Sequence, residues 1–482
     1  MFKKLLRQNF IFIGFAIGIF LSLTLFYKSF TTYYFQDDWF SLRISNISSF
    51  AEFLSFFKPR SDIIYYRPLG MQVPFFISQT LFGLNPLFFR LITFMLHIFN
   101  SWLVYKILNY ILKNKKLAIV GFLFYATASS NLTIFYWAAT FAFVLAPALY
   151  FGSFYAFLKN KHLLSWTLFL IGLFTNELLV TLPIILTIWE LINRKFQYKK
   201  IFSYWLVLIL YLILRLRYSY LPLGGSYSVV VNIFSIVKTL KNYWLWMWQW
   251  PEETANQFLS FFTINPLFVK IHPIFNGVFI SNLLIGVFGL LILPFIYLIV
   301  IKKFNKRILM LFLFGIVWWM ITLLPVLFFS QHAFAYYLAI PFFGILLTAL
   351  ILYKYIFDLM KSNKFTLFFL VVIYSLWYIG AVANVKFNLI YHWAPRRSTI
   401  SKVLVNQIKT NYPFLSSNSV IVLPINKDKT NNNQWALGDE EALKIIYHDS
   451  SIRTIYAKKD EELKTLLMMG IPGDNVFIPT DL

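Results

Sequence analysis

The sequence predicts an α-helical polytopic membrane protein of about eleven transmembrane helices, closed by a small C-terminal extracytoplasmic α/β domain. Three observations lead there. Of 482 residues, 59% are hydrophobic, 21% aromatic and only 13% charged, too little polar surface for a soluble chain to cover itself. Apolar runs of about 20 residues recur, the length that crosses a hydrocarbon core about 30 Å thick. The net charge of +24 lies in clusters between those runs: "FKKLLR" at 2–7, "KNKK" at 113–116, "KNKH" at 159–162, "NRKFQYKK" at 193–200, "KKFNKR" at 302–307 and "KSNK" at 361–364. That spacing reads as positive-inside topology with contact to anionic lipid, and it argues against nucleic acid as a partner. The chain has no cysteine, so disulfides and thiolate metal sites are excluded.

Keeping every basic cluster cytoplasmic threads the chain. The first apolar run is too long for a signal-peptide core and lacks an A-x-A site, so it is a retained helix over 9–29, running outward. A first external loop covers about 30–87. Helix 87–112 returns to "KNKK", and helices 117–135 and 138–158 form a hairpin back to "KNKH". Residues 163–192 lie between two basic clusters and must cross an even number of times. Thirty residues make two crossings of about fifteen each, short of the ~20 expected, so this pair is shallow or re-entrant, with "LFTNELLVTLP" at its tip. Helix 201–219 leads out to a second external loop, about 220–277, which holds "YWLWMWQWPEE". Helices 278–301, 308–329, 335–357 and 365–385 complete the membrane module, residues 1–385.

Residues 386–482 change character, with 12 Lys and Arg against 10 Asp and Glu and no long apolar run. "SVIVLPI" (419–425), "IRTIYA" (452–457) and "NVFIP" (475–479) read as strands, and "DEEALKIIYH" (439–448) and "DEELKTLLMM" (460–469) as helices.

Only nine of the 19 acidic residues lie in the membrane module. Glu190 and Asp358 fall near cytoplasmic ends. The other seven, Asp37, Asp38, Glu52, Asp62, Glu177, Glu252 and Glu253, thread to the outer side. Asp37 and Asp38, in "YYFQDDWF", stand where the first helix leaves the bilayer. Adjacent carboxylates repel, which favours holding one protonated or keeping a cation close, and a carboxylate at that height can deprotonate a hydroxyl. The plainer reading is a solvated pair of loop aspartates. Arg67, before Pro68 among aromatics, suits a phosphate or snorkels to headgroups. Arg90 and His97 share nearly one helix face; Arg90 can snorkel, while His97 is an intramembrane ionisable group or a helix–helix hydrogen bonder. "NYWLWMWQW" (242–250) suits an interfacial aromatic belt or sugar stacking.

In order, "FQDDW", "YRPL", "LFGLNPLFFRLITFMLHIFN", "SSNLTIFYWAATFAFVLAPAL" and "FTNELLVTLPIILTIWEL" resemble the GT-C superfamily of integral-membrane glycosyltransferases, in particular bacterial relatives of the protein O-mannosyltransferases and of the transmembrane-and-tetratricopeptide O-mannosyltransferases. The resemblance covers about 30–200 and continues weakly through "ITLLPVLFFSQHAFAYYLAIPFFG" (321–344). No tetratricopeptide repeats follow, so the C-terminal region departs from the eukaryotic members. The resemblance implies an inverting enzyme that takes a sugar from a polyprenyl-phosphate-linked donor. It places the catalytic base at Asp37 or Asp38, and donor-phosphate binding at Arg67. Arg90, Arg215, Arg217, Arg396 and Arg397 are further arginines that could meet the phosphate. His97, Glu177, His332 and Tyr336 are supporting residues. Glu177 occupies the acidic position of a Lys-Glu pair whose lysine is here Asn176, which leaves its partner open. The implied acceptor is a cell-envelope glycan, lipid or protein. No cofactor is implied with certainty, and a divalent metal stays open. The rival reading is a transporter or flippase of a lipid-linked glycan, which would use the same charges along a path; the polar residues cluster at one face and no inverted repeat is visible. A scaffold that only presents its outer domain would need no acidic pair.

Overall fold

The computed structural model describes residues 2–60, 63, 65–193, 198–218, 227–360, 363–425, 432–457, 468 and 475–477. Asp62 and, except for Met468, the helix expected over 460–469 lie outside the described residues. Among the described residues, seven helices are long and apolar enough to cross a membrane: Phe10–Thr31, Leu87–Leu112, Ala138–Leu158, Phe275–Val300, Lys306–Leu327, Phe342–Leu359 and Lys364–Tyr391. Lys115–Ala126 and Ser129–Tyr136 make an eighth crossing if the two pieces, bent by 41°, form one span. The chain is a helical polytopic membrane protein. The remaining three threaded crossings fall on weaker elements. His162–Leu173 and Leu182–Asn193 have 12 residues each, about 18 Å at 1.5 Å per residue. Tyr198–Tyr218 has 21 residues, with Arg215 and Arg217 in its last turn. Length and apolarity therefore support seven or eight spans, and eleven is not reached on that criterion.

Two spans form the centre of the bundle. Ala138–Leu158 and Phe342–Leu359 bury 78% and 72% of their apolar windows, against 28% for the peripheral Phe10–Thr31 and Phe275–Val300. Helix backbones approach closely where side chains are smallest. A Cβ on Gly315 would collide with Thr348 Oγ1 and the Gly344 carbonyl oxygen, and one on Gly344 with the Gly315 carbonyl oxygen. Lys306–Leu327 and Phe342–Leu359 thus touch main chain to main chain. Gly315→Ala is expected to destabilise the bundle by about 1–3 kcal/mol through overpacking. Gly277→Ala, where a new Cβ meets nothing within 4 Å, should be neutral. Thermal unfolding of the detergent-solubilised protein compares the two.

The bend near residue 127 would strand main-chain groups inside the bundle, where each must find a partner. Gln249 supplies several. Its Oε1 accepts from Ser129 N at 2.9 Å, and its Nε2 donates to the Thr127 carbonyl at 3.3 Å. The tryptophans around it face inward, with Trp246, Trp248 and Trp250 all buried. They are core residues rather than the exposed belt their spacing suggested.

Beyond Lys364–Tyr391, helix Trp393–Asn411 leads to three parallel strands, β1 (Val420–Pro424), β2 (Arg453–Ala457) and β3 (Val476–Phe477), in the order β2-β1-β3. Val420 pairs with Arg453 on one side and Val476 on the other. Val420 through Leu423 are all buried, as a central parallel strand covered on both faces requires. Helices Asn433–Leu437 and Glu441–Ile446 lie between β1 and β2 in sequence. Glu441–Ile446 packs on the short helix Asp37–Ile44.

Candidate functional site

The first span ends in a single 3-10 turn, Tyr27–Thr31, and the chain runs extended to Gln36. Gln36 has φ +53°, a left-handed conformation that costs an L residue energy. The distortion is held from outside: Gln36 N donates to the Ala436 carbonyl at 3.2 Å, and Arg397 Nη1 donates to Gln36 Oε1 at 2.5 Å. Helix Asp37–Ile44 begins at the next residue, with both aspartates in its first turn, where unpaired N–H groups favour negative charge.

The two carboxylates have different surroundings. Asp38 is 0% exposed. Its Oδ2 accepts from Phe35 N at 3.2 Å and its Oδ1 from Ala139 N at 2.6 Å. Burial pushes its carboxyl up to about 7, opposed by Arg90 and by the two backbone donors. Asp37 is only half-buried. Burial pushes it up to about 6, opposed by Arg397 and Gln36. Arg397 lies over the rings of Trp393 and Trp435, at 5.0 and 5.2 Å. Asp38 therefore ties two loops together, and Asp37 is the acid that a ligand can reach.

Arg67 approaches from the other end of the stretch between the first two spans. Leu69 N donates to the Phe174 carbonyl at 3.1 Å, which fixes the "YRPL" turn beside the tip of the short hairpin. There Asn176 Oδ1 accepts from Leu178 N at 3.0 Å and starts the turn Glu177–Thr181. Glu177 Oε2 accepts from Arg67 Nε at 2.7 Å, and its Oε1 lies 3.5 Å from Arg215 Nη2. The partner left open by Asn176 is thus a pair of arginines, and the trio keeps one net positive charge. The Arg67 guanidinium is packed between the rings of Tyr65, at 4.7 Å, and Phe143, at 4.9 Å. Burial alone would lower it, but Glu177, Tyr337 and Tyr227 more than reverse this and leave it above its ordinary value.

Two tyrosines lie within electrostatic range of both the acid and Arg67. Tyr65 and Tyr227 each feel the charges of Asp37, Arg67 and Glu177. His332 packs tilted against Tyr227, ring centroids 4.0 Å apart, and burial together with Arg67 lowers it to about 4, so it is neutral near pH 7. Tyr336 and Tyr337 pack on Phe143 at 4.6 and 5.1 Å. Glu252 Oε2 accepts from Ala335 N at 2.7 Å and holds that turn in place.

The structure thus gathers Asp37, Arg67, Glu177, Arg215, His332, Tyr336 and Arg397 around one cluster. The other candidates lie elsewhere. Arg90 is buried and donates to the carbonyls of Phe135, at 3.1 Å, and Tyr33, at 3.5 Å, so it ties the loops around Asp38. His97 Nε2–H donates to the Ala126 carbonyl at 2.9 Å and secures the bent helix. Arg396 lines a separate groove beside Lys28 and Lys402. Sequence reasoning missed Tyr65, Phe143, Tyr227 and Tyr337 as members of the cluster. In a chain with 29 tyrosines and 56 phenylalanines, their identity carries no signal, and only the adjacency of Tyr65 to "YRPL" offered one. Among the described residues, no three His, Asp or Glu side chains converge to hold a metal ion. No protein-family model matches the chain, and no curated protein shows significant similarity to it.

Proposed function

We propose that the protein is an inverting glycosyltransferase of the GT-C type. It moves a sugar from a polyprenyl-phosphate-linked donor to a cell-envelope glycan, lipid or protein acceptor at the outer face of the cytoplasmic membrane. The supporting observation is the pairing of a reachable carboxylate, Asp37, with a net-positive arginine cluster, both felt by Tyr65 and Tyr227. The Asp37 carboxylate takes the proton of the acceptor hydroxyl. The hydroxyl oxygen bonds to the anomeric carbon from one face, and the bond from that carbon to the phosphate oxygen breaks on the other. The electron pair leaves on the polyprenyl phosphate, whose charge Arg67 meets. Tyr65, Tyr227, Tyr336 and Tyr337 supply ring faces and hydroxyls for a sugar between the two. Mass spectrometry of envelope glycans with and without the protein tests this reading, and an unchanged glycan profile would overturn it.

The reading includes eleven crossings, a cytoplasmic N-terminus, and β1–β3 with their helices as an extracytoplasmic α/β domain. A chain without cysteine makes the topology direct to test. Single cysteines at the exposed positions Lys161 and Lys199 should resist an impermeant thiol reagent in intact cells. One at Phe414, 90% exposed, should react. Labelling at Lys161 or Lys199 would reverse the threading.

A base must be deprotonated to act. With its carboxyl near 6, Asp37 should give turnover a rising limb centred near pH 6. Arg397 holds that value down, so Arg397→Gln should move the limb to higher pH. A pH profile of kcat/KM for both proteins is the check.

A further inference from the structure

The stretch 227–274 runs up to the span Phe275–Val300 and holds no helix of spanning length; its longest is Ile233–Met247, of 15 residues. That helix is inside out for one bathed in water. Its buried face carries Thr239, Asn242 and Tyr243, while Ile233, Phe234 and Val237 stand 66%, 82% and 40% exposed. A helix on an aqueous surface turns its apolar stripe to the core and its polar side outward. The rest of the stretch repeats the inversion. The chain doubles back where Phe258 pairs with Ile264, and at that turn Leu259 and Phe262 are 68% and 88% exposed. Helix Pro266–Ile271 buries none of its residues, and Leu267 and Ile271 point outward. The stretch is also tied to the first turns of the span. Trp250 Nε1 donates to the Phe279 carbonyl at 3.0 Å, and the ring of Phe268 meets that of Phe275 edge-on at 5.3 Å. Val237, Trp244 and Phe261 share an open, mainly apolar groove of about 550 Å³ with Ile280 and Leu283 of the span. The exposed apolar face therefore continues the surface of a membrane-crossing helix without a break.

We infer that 229–274 is a membrane-surface element rather than an aqueous loop. It lies in the boundary between headgroups and acyl chains where the span Phe275–Val300 begins, with Phe234, Phe262 and Ile271 among the acyl chains and phospholipid as its partner. Two observations favour lipid over a second copy of this chain. The first is the continuity with the span. The second is charge: the only acids in 227–274 are Glu252 and Glu253, and both turn inward to accept from Ala335 N and Trp393 N. The exposed charges are Lys238 and Lys270, which suit an anionic lipid surface and would repel their own kind across a symmetric pair. The inference stands without the glycosyltransferase reading, because neither Asp37 nor Arg67 belongs to this face. Helix Ile233–Met247 also packs on the turn Ala335–Ala339, which carries Tyr336 and Tyr337, so the leaflet that seats the helix supports that turn as well.

The test uses the full-length protein, which has no cysteine of its own, in proteoliposomes of phosphatidylcholine and phosphatidylglycerol. Phe234→Cys, Phe262→Cys and Ile271→Cys each carry a nitroxide spin label. These side chains are already exposed, so their replacement leaves the packing intact and the variants should fold. Relaxation of each label by dissolved oxygen, which concentrates among acyl chains, is compared with relaxation by a water-soluble nickel chelate. Leu284→Cys, at a position 49% exposed on the span, is the lipid-facing reference, and Phe414→Cys is the aqueous one. Oxygen should outweigh nickel at 234, 262 and 271 as it does at 284, which places the three labels about 5–10 Å inside the boundary, and the order should reverse at 414. Nickel access at 234 and 262 equal to that at 414 would overturn the inference. Spin–spin broadening at those positions, lost on dilution with unlabelled protein, would assign the face to a second copy of the chain and overturn the lipid partner.

Discussion

Asp37→Asn is expected to lower transfer by about a hundred- to ten-thousand-fold, the range for loss of a positioned general base, while melting temperature and membrane insertion stay at wild-type values. The side chain is half-buried and within the electrostatic reach of Arg397, so an amide of nearly equal volume changes basicity and little else. Asp38→Asn should behave differently. Both Asp38 oxygens accept backbone N–H groups, from Phe35 and Ala139. An amide can present only one oxygen and sets an NH2 against the other donor, which leaves buried groups unpaired at about 1–3 kcal/mol each. Its defect should appear as a lower melting temperature and poorer yield, in proportion to any lost turnover. Turnover of purified variants, set beside their thermal unfolding, separates the two. A fully active Asp37→Asn would remove the proposed base.

Arg67→Ala is expected to weaken donor-dependent kcat/KM by about ten- to a hundred-fold, the equivalent of one charge-assisted contact of about 1.5–3 kcal/mol. Arg67→Lys should recover part of that loss, because lysine keeps the charge and gives up the planar fork. Two features make Arg67 the choice among the arginines. Its guanidinium is clamped between Tyr65 and Phe143, so little freedom is lost when it meets a ligand. Glu177 also bonds it edge-on through Nε, while Arg215 shares that carboxylate's charge. Titrating a polyprenyl-phosphate-linked donor against both variants decides the matter. Donor dependence unchanged in both would leave Arg67 as an anchor of its loop.

The helices were legible in the sequence because apolar runs and basic breaks are one-dimensional signals. The helix expected over 87–112 is Leu87–Leu112, and the strands expected over 419–425 and 452–457 are Val420–Pro424 and Arg453–Ala457. The bend after Ala126 was not legible. It depends on Gln249, more than a hundred positions away, and no local period records such a partner. For the site, the acidic pair and the arginine of "YRPL" stood out because charges are rare in this chain. Which aspartate is reachable could not be read there, since the answer lies in the main chain of Ala139 and in the rings around Arg397. Arg90 and His97 were singled out for the same rarity, and their charge and polarity serve buried carbonyls.

The Gln36 turn has a consequence for how the protein is made. Asp37 leaves the ribosome long before the groups that hold its turn. Ala436 supplies the carbonyl for Gln36 N, Gly438 packs against the Gln36 carbonyl where a Cβ would collide at 2.6 Å, and Glu441 pairs with Arg43 across 398 positions. At about 5–20 residues per second, that separation amounts to roughly 20–80 s of translation. For that interval the strained turn lacks the Ala436 carbonyl and the Arg43–Glu441 pair. A chain stalled before Ala436 would carry both aspartates and lack the carbonyl that holds their turn.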